Sequence, residues 1–296
     1  MYLPESREEA IVGAGRRPSV SYWRRRLVSY AGWIVVGTCF LLLAAALIDI
    51  LVLVVSHGIG SLDLKLFTQA TNGVSGGLLN AIEGTALVTF GSVAIAAPLG
   101  IGAGVFLAEY ARGWLPRVAR YLADVLVGVP SIVLGLFGYI TMVVYAGWHF
   151  SLSAGCITLA MMIMPYIARS TELAMRSVSP TLRESAYALG ASDRSVVMRV
   201  MLPACRRAVL TGVLVAMALS MGETAPLIYT VGWSNYVWHG QFTHEPLAYL
   251  TYVIWSFINE PFPTAHALAF AAAFLVTIFA LLITVSARVM LTRMDR

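Results

Sequence analysis

Charge is what this chain of 296 residues has least of. Asp, Glu, Lys and Arg together make up 12% of it, about half the roughly 25% of a soluble domain. With 59% apolar residues and a mean hydropathy of +0.79, that shortage excludes a soluble globular protein and makes lipid the solvent of most of the chain. Lysine is nearly absent, since of 20 cations only Lys65 is one. No Gly-x-x-x-x-Gly-Lys surrounds it, so the chain has no P-loop and hydrolyses no nucleotide by that route. The three cysteines, Cys39, Cys156 and Cys205, lack the C-x-x-C spacing of a zinc or redox site. They read as packing residues, and no metal is expected.

Long apolar runs are what the chain does have. At 1.5 Å rise per residue, six stretches can cross a hydrocarbon core roughly 30 Å thick: residues 32–55, 84–108, 125–146, 152–168, 208–231 and 265–287. The fourth is short and is expected to run on as a helix past Glu172, bent near Pro165. The stretch 246–258 is apolar but too short to span, and its Tyr and Trp place it in the interface. Arg24, Arg25 and Arg26 precede the first run, and Ala44-Ala45-Ala46 imitates a signal-peptidase site. The run continues to Val55, too long for a signal peptide, so it is read as a retained span.

The cations are not spread evenly. Six lie before the first span, three between spans two and three (Arg112, Arg117, Arg120), seven between spans four and five, and three after the sixth; Lys65 alone is on the other side. Residues 232–264 contain no Lys or Arg. By the positive-inside rule both termini are expected in the cytoplasm, and the net charge of +5 is a topology signal rather than a nucleic-acid footprint.

Between spans four and five, Ser179-Pro180 ends one helix and Thr181-Leu182-Arg183-Glu184 has the form of a capping box that begins another. Gly190 is a natural left-handed stop. Ser192 and Asp193 offer a second cap, before a helix to Pro203. The run Glu184-Ser185-Ala186, three residues, Gly190, nine residues, Val200-Met201-Leu202-Pro203 resembles the EAA loop of ABC importer permeases. Ser185 stands where alanine is usual and Val200 where isoleucine is usual. The resemblance implies a coupling helix seated in a cleft of an ATPase subunit, with Glu184, Ser185, Ala186, Gly190, Leu202 and Pro203 carrying the coupling.

Three further stretches, PLGIGAGVFLAEY at 98–110, GVPSIVLGLFG at 128–138 and MGETAPL at 221–227, resemble the phosphate-specific permeases, the last of them the PstA type. Read physically, Gly100, Gly102 and Gly104 lie inside a span and suit close helix approach rather than a nucleotide loop. Gly128, Pro130, Gly135 and Gly138 allow a bent third helix lining a path. Glu223 inside an apolar span costs at least a few kcal/mol, so it should face the bundle interior, protonated or paired. Four residues separate it from Leu219, which places both on one helix face. Gly222, Glu223, Thr224, Leu219, Pro130 and Ser131 are the expected path residues. Asp49 and Asp124 lie near span ends, Glu83 and Glu109 at boundaries, and His266 in the interface. PstA-type sequences usually carry an arginine where this chain has Leu219. Arginine is the natural partner of phosphate oxygens, so the cation would come from a partner, or the substrate would be another oxyanion.

The resemblance implies an all-α polytopic membrane protein of six helices with a type I ABC importer permease core. Its parts would be a tail at 1–31, a first helix and outer loop at 32–79, a permease domain at 80–290 with the coupling loop at 179–203, and a tail at 291–296. It implies a non-catalytic subunit moving inorganic phosphate inward through a prokaryotic plasma (inner) membrane. There would be no cofactor in this chain, ATP and Mg being bound by the partner ATPase. Implied partners are a second homologous permease (PstC-like), two ATPase subunits (PstB-like) and an extracytoplasmic phosphate-binding protein (PstS-like) meeting the aromatic loop 233–262. Two other classes compete. Gly73-Val74-Ser75-Gly76 with His266 has the form of an intramembrane serine protease site, and a secondary transporter would have broken-helix pairs at matching positions, of which the sequence gives no sign.

Overall fold

The computed structural model of the chain describes residues 20–110 and 113–292. The expected tails lie largely, and Arg112 wholly, outside them. The chain falls into two compact units, 1–53 and 54–296. Helix α1, Val20–Gly60, begins among the arginines and is about 60 Å long at the α-helical rise. Along it Trp33, Phe40, Leu43 and Ile48 are exposed, as suits a lipid-facing helix.

In the second unit α2 (Leu64–Thr68) leads to a small hairpin, β1 (Thr71–Asn72) against β2 (Ser75–Gly76), and then to α3 (Leu79–Val105). A π-helical turn, Phe106–Tyr110, extends α3. Next come α4 (Leu115–Gly128), α5 (Ser131–Gly138) with a π-helical continuation over Tyr139–Tyr145, and α6 (Leu152–Arg176). The loop that follows holds α7 (Pro180–Ala188) and the short α8 (Asp193–Ser195), which passes through a π-helical stretch, Val196–Met201, into α9 (Leu202–Met221). Helices α10 (Ala225–Thr230), α11 (Leu250–Phe257) and α12 (Pro263–Thr292) complete the chain. Helix α6 is central: α3 packs along one side of it and α9 along another, with α12 behind α9. Small residues set the α3–α6 approach, since a Cβ at Gly100 would stand 2.8 Å from the Ile167 Cβ. Gly104 sits likewise against Ala168 and Thr171, whereas Gly102 faces open space. Two of the three glycines in that run therefore make the helix contact.

Among the described residues five helices are long and apolar enough to cross a membrane, or six when the pair Pro116–Gly128 and Ser131–Tyr145 counts as one span. That pair is bent by 98°, so the third span is two helices rather than one bent helix. The cause is local: Pro130 disfavours helical backbone in the residue before it, and Val129 is extended, with ψ 129°. The fifth span is also broken. Helix α9 stops at Met221 with the bonds Gly222 N–H to Leu219 O and Glu223 N–H to Ser220 O, and Pro226 has no N–H to continue the ladder. The bend expected of the third span is therefore a full break, and the fifth span carries a second break that the sequence pattern does not anticipate.

Three further expectations change. Helix α7 starts at Pro180 with Ser179 before it and without a side-chain cap, so Thr181 lies in the first turn and the capping box does not form. The second loop helix does not end at Pro203 but runs on unbroken to Met221; the π-helical stretch just before it accommodates a proline that cannot donate to the carbonyl four residues back. The stretch 246–258 is not spread on the interface. Leu247, Ala248, Tyr249, Leu250 and Val253 are buried, and a Cβ at Gly84 on α3 would collide with the Ala248 carbonyl oxygen.

Candidate functional site

The two breaks meet. The side chain of Ser131, the first residue of α5, lies close to the carboxyl of Glu223 in the link between α9 and α10. Four residues on, a Cβ at Gly135 would stand 2.6 Å from the Pro226 Cα, so only glycine lets α5 and α10 come this close. From the other side the Thr251 hydroxyl of α11 donates to the Glu223 backbone carbonyl at 2.8 Å. A carbonyl of the unwound link is thus satisfied by a hydroxyl on a neighbouring element, as backbone freed inside a membrane must be. Glu223, Ser131 and Thr224 are half-buried, and Pro130 and Gly222 are exposed. Of the expected path residues, Ser131 and Glu223 are brought together, and Leu219, Gly222 and Pro130 are exposed on this chain. Because α9 ends at Met221, Leu219 and Glu223 do not form the helical i to i+4 pair that their spacing predicts.

A groove between α6 and α9 runs from this region. One cavity of about 300 Å³ is lined by Leu219, Val215, Gly212, Thr211, Tyr166 and Ser170. A second, of about 610 Å³, shares Tyr166, Ser170 and Ala208 and adds Arg169, Asp124 and Ser177. From Leu219 to Ala208 is eleven residues of helix, or roughly 16 Å. Leu219 is 44% exposed on the wall, where an arginine would reach into the groove. The cation lining the groove in this chain, among the described residues, is Arg169 at its far end.

At that end sits a carboxylate that the hydropathy and motif patterns do not single out. Glu172 is 1% exposed and ion-pairs with three guanidinium groups: Arg120 Nε at 2.6 Å, Arg176 Nη2 at 2.9 Å and Arg169 Nη1 at 3.2 Å. Arg169 and Arg176 are one helical turn to either side of it on α6, a pattern visible in sequence. Arg120 comes from α4 and is brought in only by packing. On the loop below, Gly190 has φ +79°, the left-handed stop its position after α7 requires. Glu184 and Ser185 stay outside the core, and Ala186 packs with Val105, Met175 and Val197.

Residues 100–296 match the family described as binding-protein-dependent transport system inner membrane component. The chain belongs to this family. Relatives include "Phosphate transport system permease protein PstA 2" of Mycobacterium bovis, 40% identical over 90% of this chain and 88% of that protein. The PstA protein of Yersinia pestis is 43% identical over 83% of this chain and 84% of its own length. A probable PstA of Methanocaldococcus jannaschii is 33% identical over 86% and 90%. Among solved structures, the inward-facing MetNI methionine ABC transporter matches with a TM-score of 0.59 at 20% identity, covering 72% of this chain and 94% of that one. An amino acid ABC transporter with histidines matches at 0.51 and 20% identity, over 71% and 91%. These two establish the fold, a type I ABC importer permease.

The remaining candidates fall outside this permease site. The Ser75 hydroxyl donates to the Asn72 carbonyl at 3.0 Å, and among the described residues no hydrogen bond joins it to His266. Asp49 and His266 are exposed, and Glu83 is half-buried. On the aromatic loop the Glu245 carboxylate accepts the His239 N–H at 2.8 Å and the Gln241 N–H at 3.1 Å and pairs with the His239 ring. Burial alone would push Glu245 up, but these bonds outweigh it and hold the carboxyl below its usual range. Tyr236 in the same loop is 71% exposed.

Proposed function

We propose that this chain is the PstA-type permease subunit of an ABC importer that brings inorganic phosphate into the cytoplasm. The observation that carries the reading is the α6–α9 groove with the two span breaks at its head. It opens on one side of the chain, so a second, homologous permease would complete it as a path. PstA proteins similar to this chain over most of its length supply the substrate class. The path residues are Pro130, Ser131, Leu219, Gly222, Glu223 and Thr224. Phosphate descending the groove would meet Tyr166 and Ser170 and then Arg169.

The chain performs no catalysis and holds no cofactor; ATP and Mg belong to two ATPase subunits, one of which docks on Glu184, Ser185, Ala186 and Gly190 of the loop, backed by Leu202 and Pro203. Both termini are cytoplasmic, and a phosphate-binding protein meets the aromatic loop from outside. Phosphate uptake by the complex reconstituted in vesicles tests the reading. Glu223→Gln should lower uptake without preventing assembly, because the amide keeps the size of the side chain but removes the acid at the break. Leu219→Arg should be tolerated while Glu223 is present and harmful beside Glu223→Gln. Strictly additive effects in that double-mutant cycle would remove both residues from a common path, and uptake of another oxyanion in place of phosphate would change the substrate.

A further inference from the structure

We infer that the π-helical turn Phe106–Tyr110 is the joint between the docking helix α7 and the broken third span, with Glu109 and Arg120 as positioning residues. The inference rests on the reading of the loop as the ATPase dock. The turn is the last described part of α3, and the carbonyls at a helix end carry the negative end of the dipole. One of them, Leu107 O, accepts Arg120 Nη2 at 2.9 Å. The same guanidinium holds Glu172 through Nε, so Arg120 ties α4 to α3 and α6 at once. A carboxylate at a helix C-terminus is opposed by the dipole and needs a cation. Glu109 has one in Arg183 of α7, and its side chain is only 7% exposed.

The geometry makes a continuous set of directional contacts. Arg183 on the dock grips Glu109; two residues back, Leu107 grips Arg120 on α4; and α4 ends at Gly128, just before Pro130 and the Ser131–Glu223 contact. The other link from α7 to α3 is apolar, Ala186 in the cluster that holds Val105, and apolar contacts slide where ion pairs do not. A cavity of about 620 Å³ lined by Glu109, Tyr110, Arg183, Tyr187 and Asp193 gives the pair room to move with the helix. π-helical turns recur at such functional joints.

Charge exchange tests the joint in the full complex. Glu109→Arg and Arg183→Glu should each lower phosphate uptake at least about tenfold, a usual size for coupling between sites. The ATPase should still co-purify, its hydrolysis no longer answering to loaded binding protein. The double exchange should recover uptake to within about threefold of the unmutated complex, the mark of a direct pair. Arg120→Lys keeps the charge but cannot fork to both Glu172 and Leu107 O, so it too should uncouple hydrolysis from uptake, and it carries the test if Glu109→Arg fails to reach the membrane. Normal uptake in the single variants, no recovery in the double exchange, or unchanged coupling in Arg120→Lys would overturn the joint. Absence of the ATPase from the unmutated complex would instead sink the docking reading itself.

Discussion

The two ends of the groove are held together by different chemistry. At its head, the broken spans are fixed by neutral groups and by glycine: the Thr251 hydroxyl on the Glu223 carbonyl, Ser131 close to the Glu223 side chain, and Gly135 against Pro226. At its foot a different set, α3, α4, α6 and α7, is fixed by ions, with three arginines on Glu172 and Arg183 on Glu109. The difference follows the solvent. In hydrocarbon every freed backbone group must find a partner within the protein and a bare charge is expensive, whereas near water the exposed arms of Arg169 and Arg176 remain hydrated while their tips meet a buried carboxylate. A path built this way can change its helix packing at the head with few charges to move and can transmit force at the foot through directional pairs.

The ionic foot should break hardest. Glu172→Ala leaves Arg120 without its carboxylate and should lower stability by about 2 to 3 kcal/mol, the low end for a buried pair because two of its partners are half in water. Thermal unfolding in detergent should report it, and a midpoint unchanged from the unmutated protein would mean that the cluster holds nothing.

The head should answer to volume instead. Gly135→Ala pushes a methyl into the Pro226 backbone, which cannot turn away, so about 1 to 2 kcal/mol and a marked loss of uptake are expected. Gly102→Ala, on the same kind of apolar helix but facing open space, should be neutral in both measurements. Equal effects at the two positions would count against close packing as the holding force.

On the loop, Gly190→Ala strains a left-handed turn by about 1 kcal/mol, and co-purification of the ATPase should fall while membrane abundance stays. The smallest effect belongs to the aromatic loop. Glu245 is held below its ordinary value, so its contribution is fully present above about pH 4.5 and is lost as the pH falls through its depressed folded value. Protease nicking between Trp238 and Phe242 should therefore rise only in acid well below neutrality, and Glu245→Gln should flatten that dependence.

Much of this architecture is legible in the residues alone. The hydropathy runs, the arginine distribution and the Glu184 to Pro203 spacing need no folding to be read, because each depends on neighbours within a few turns. Even the Arg169, Glu172, Arg176 triad follows from counting helical turns. Helix ends are less legible. The capping-box pattern loses to Pro180, and a helix expected to stop at Pro203 goes through it by widening into π-helical bonds.

By itself, then, the sequence determined that the chain lives in lipid, which segments cross it, and which loop resembles an ATPase dock, since solvation and local spacing act residue by residue. Only the tertiary structure decided that spans three and five are broken and that their breaks meet at Ser131 and Glu223. It alone buried the stretch from Leu247 to Leu250 and brought Arg120 to Glu172 and Arg183 to Glu109. Those outcomes join residues dozens of positions apart, and no period or propensity along one helix encodes which distant hydroxyl or guanidinium will satisfy a freed carbonyl or a buried carboxylate.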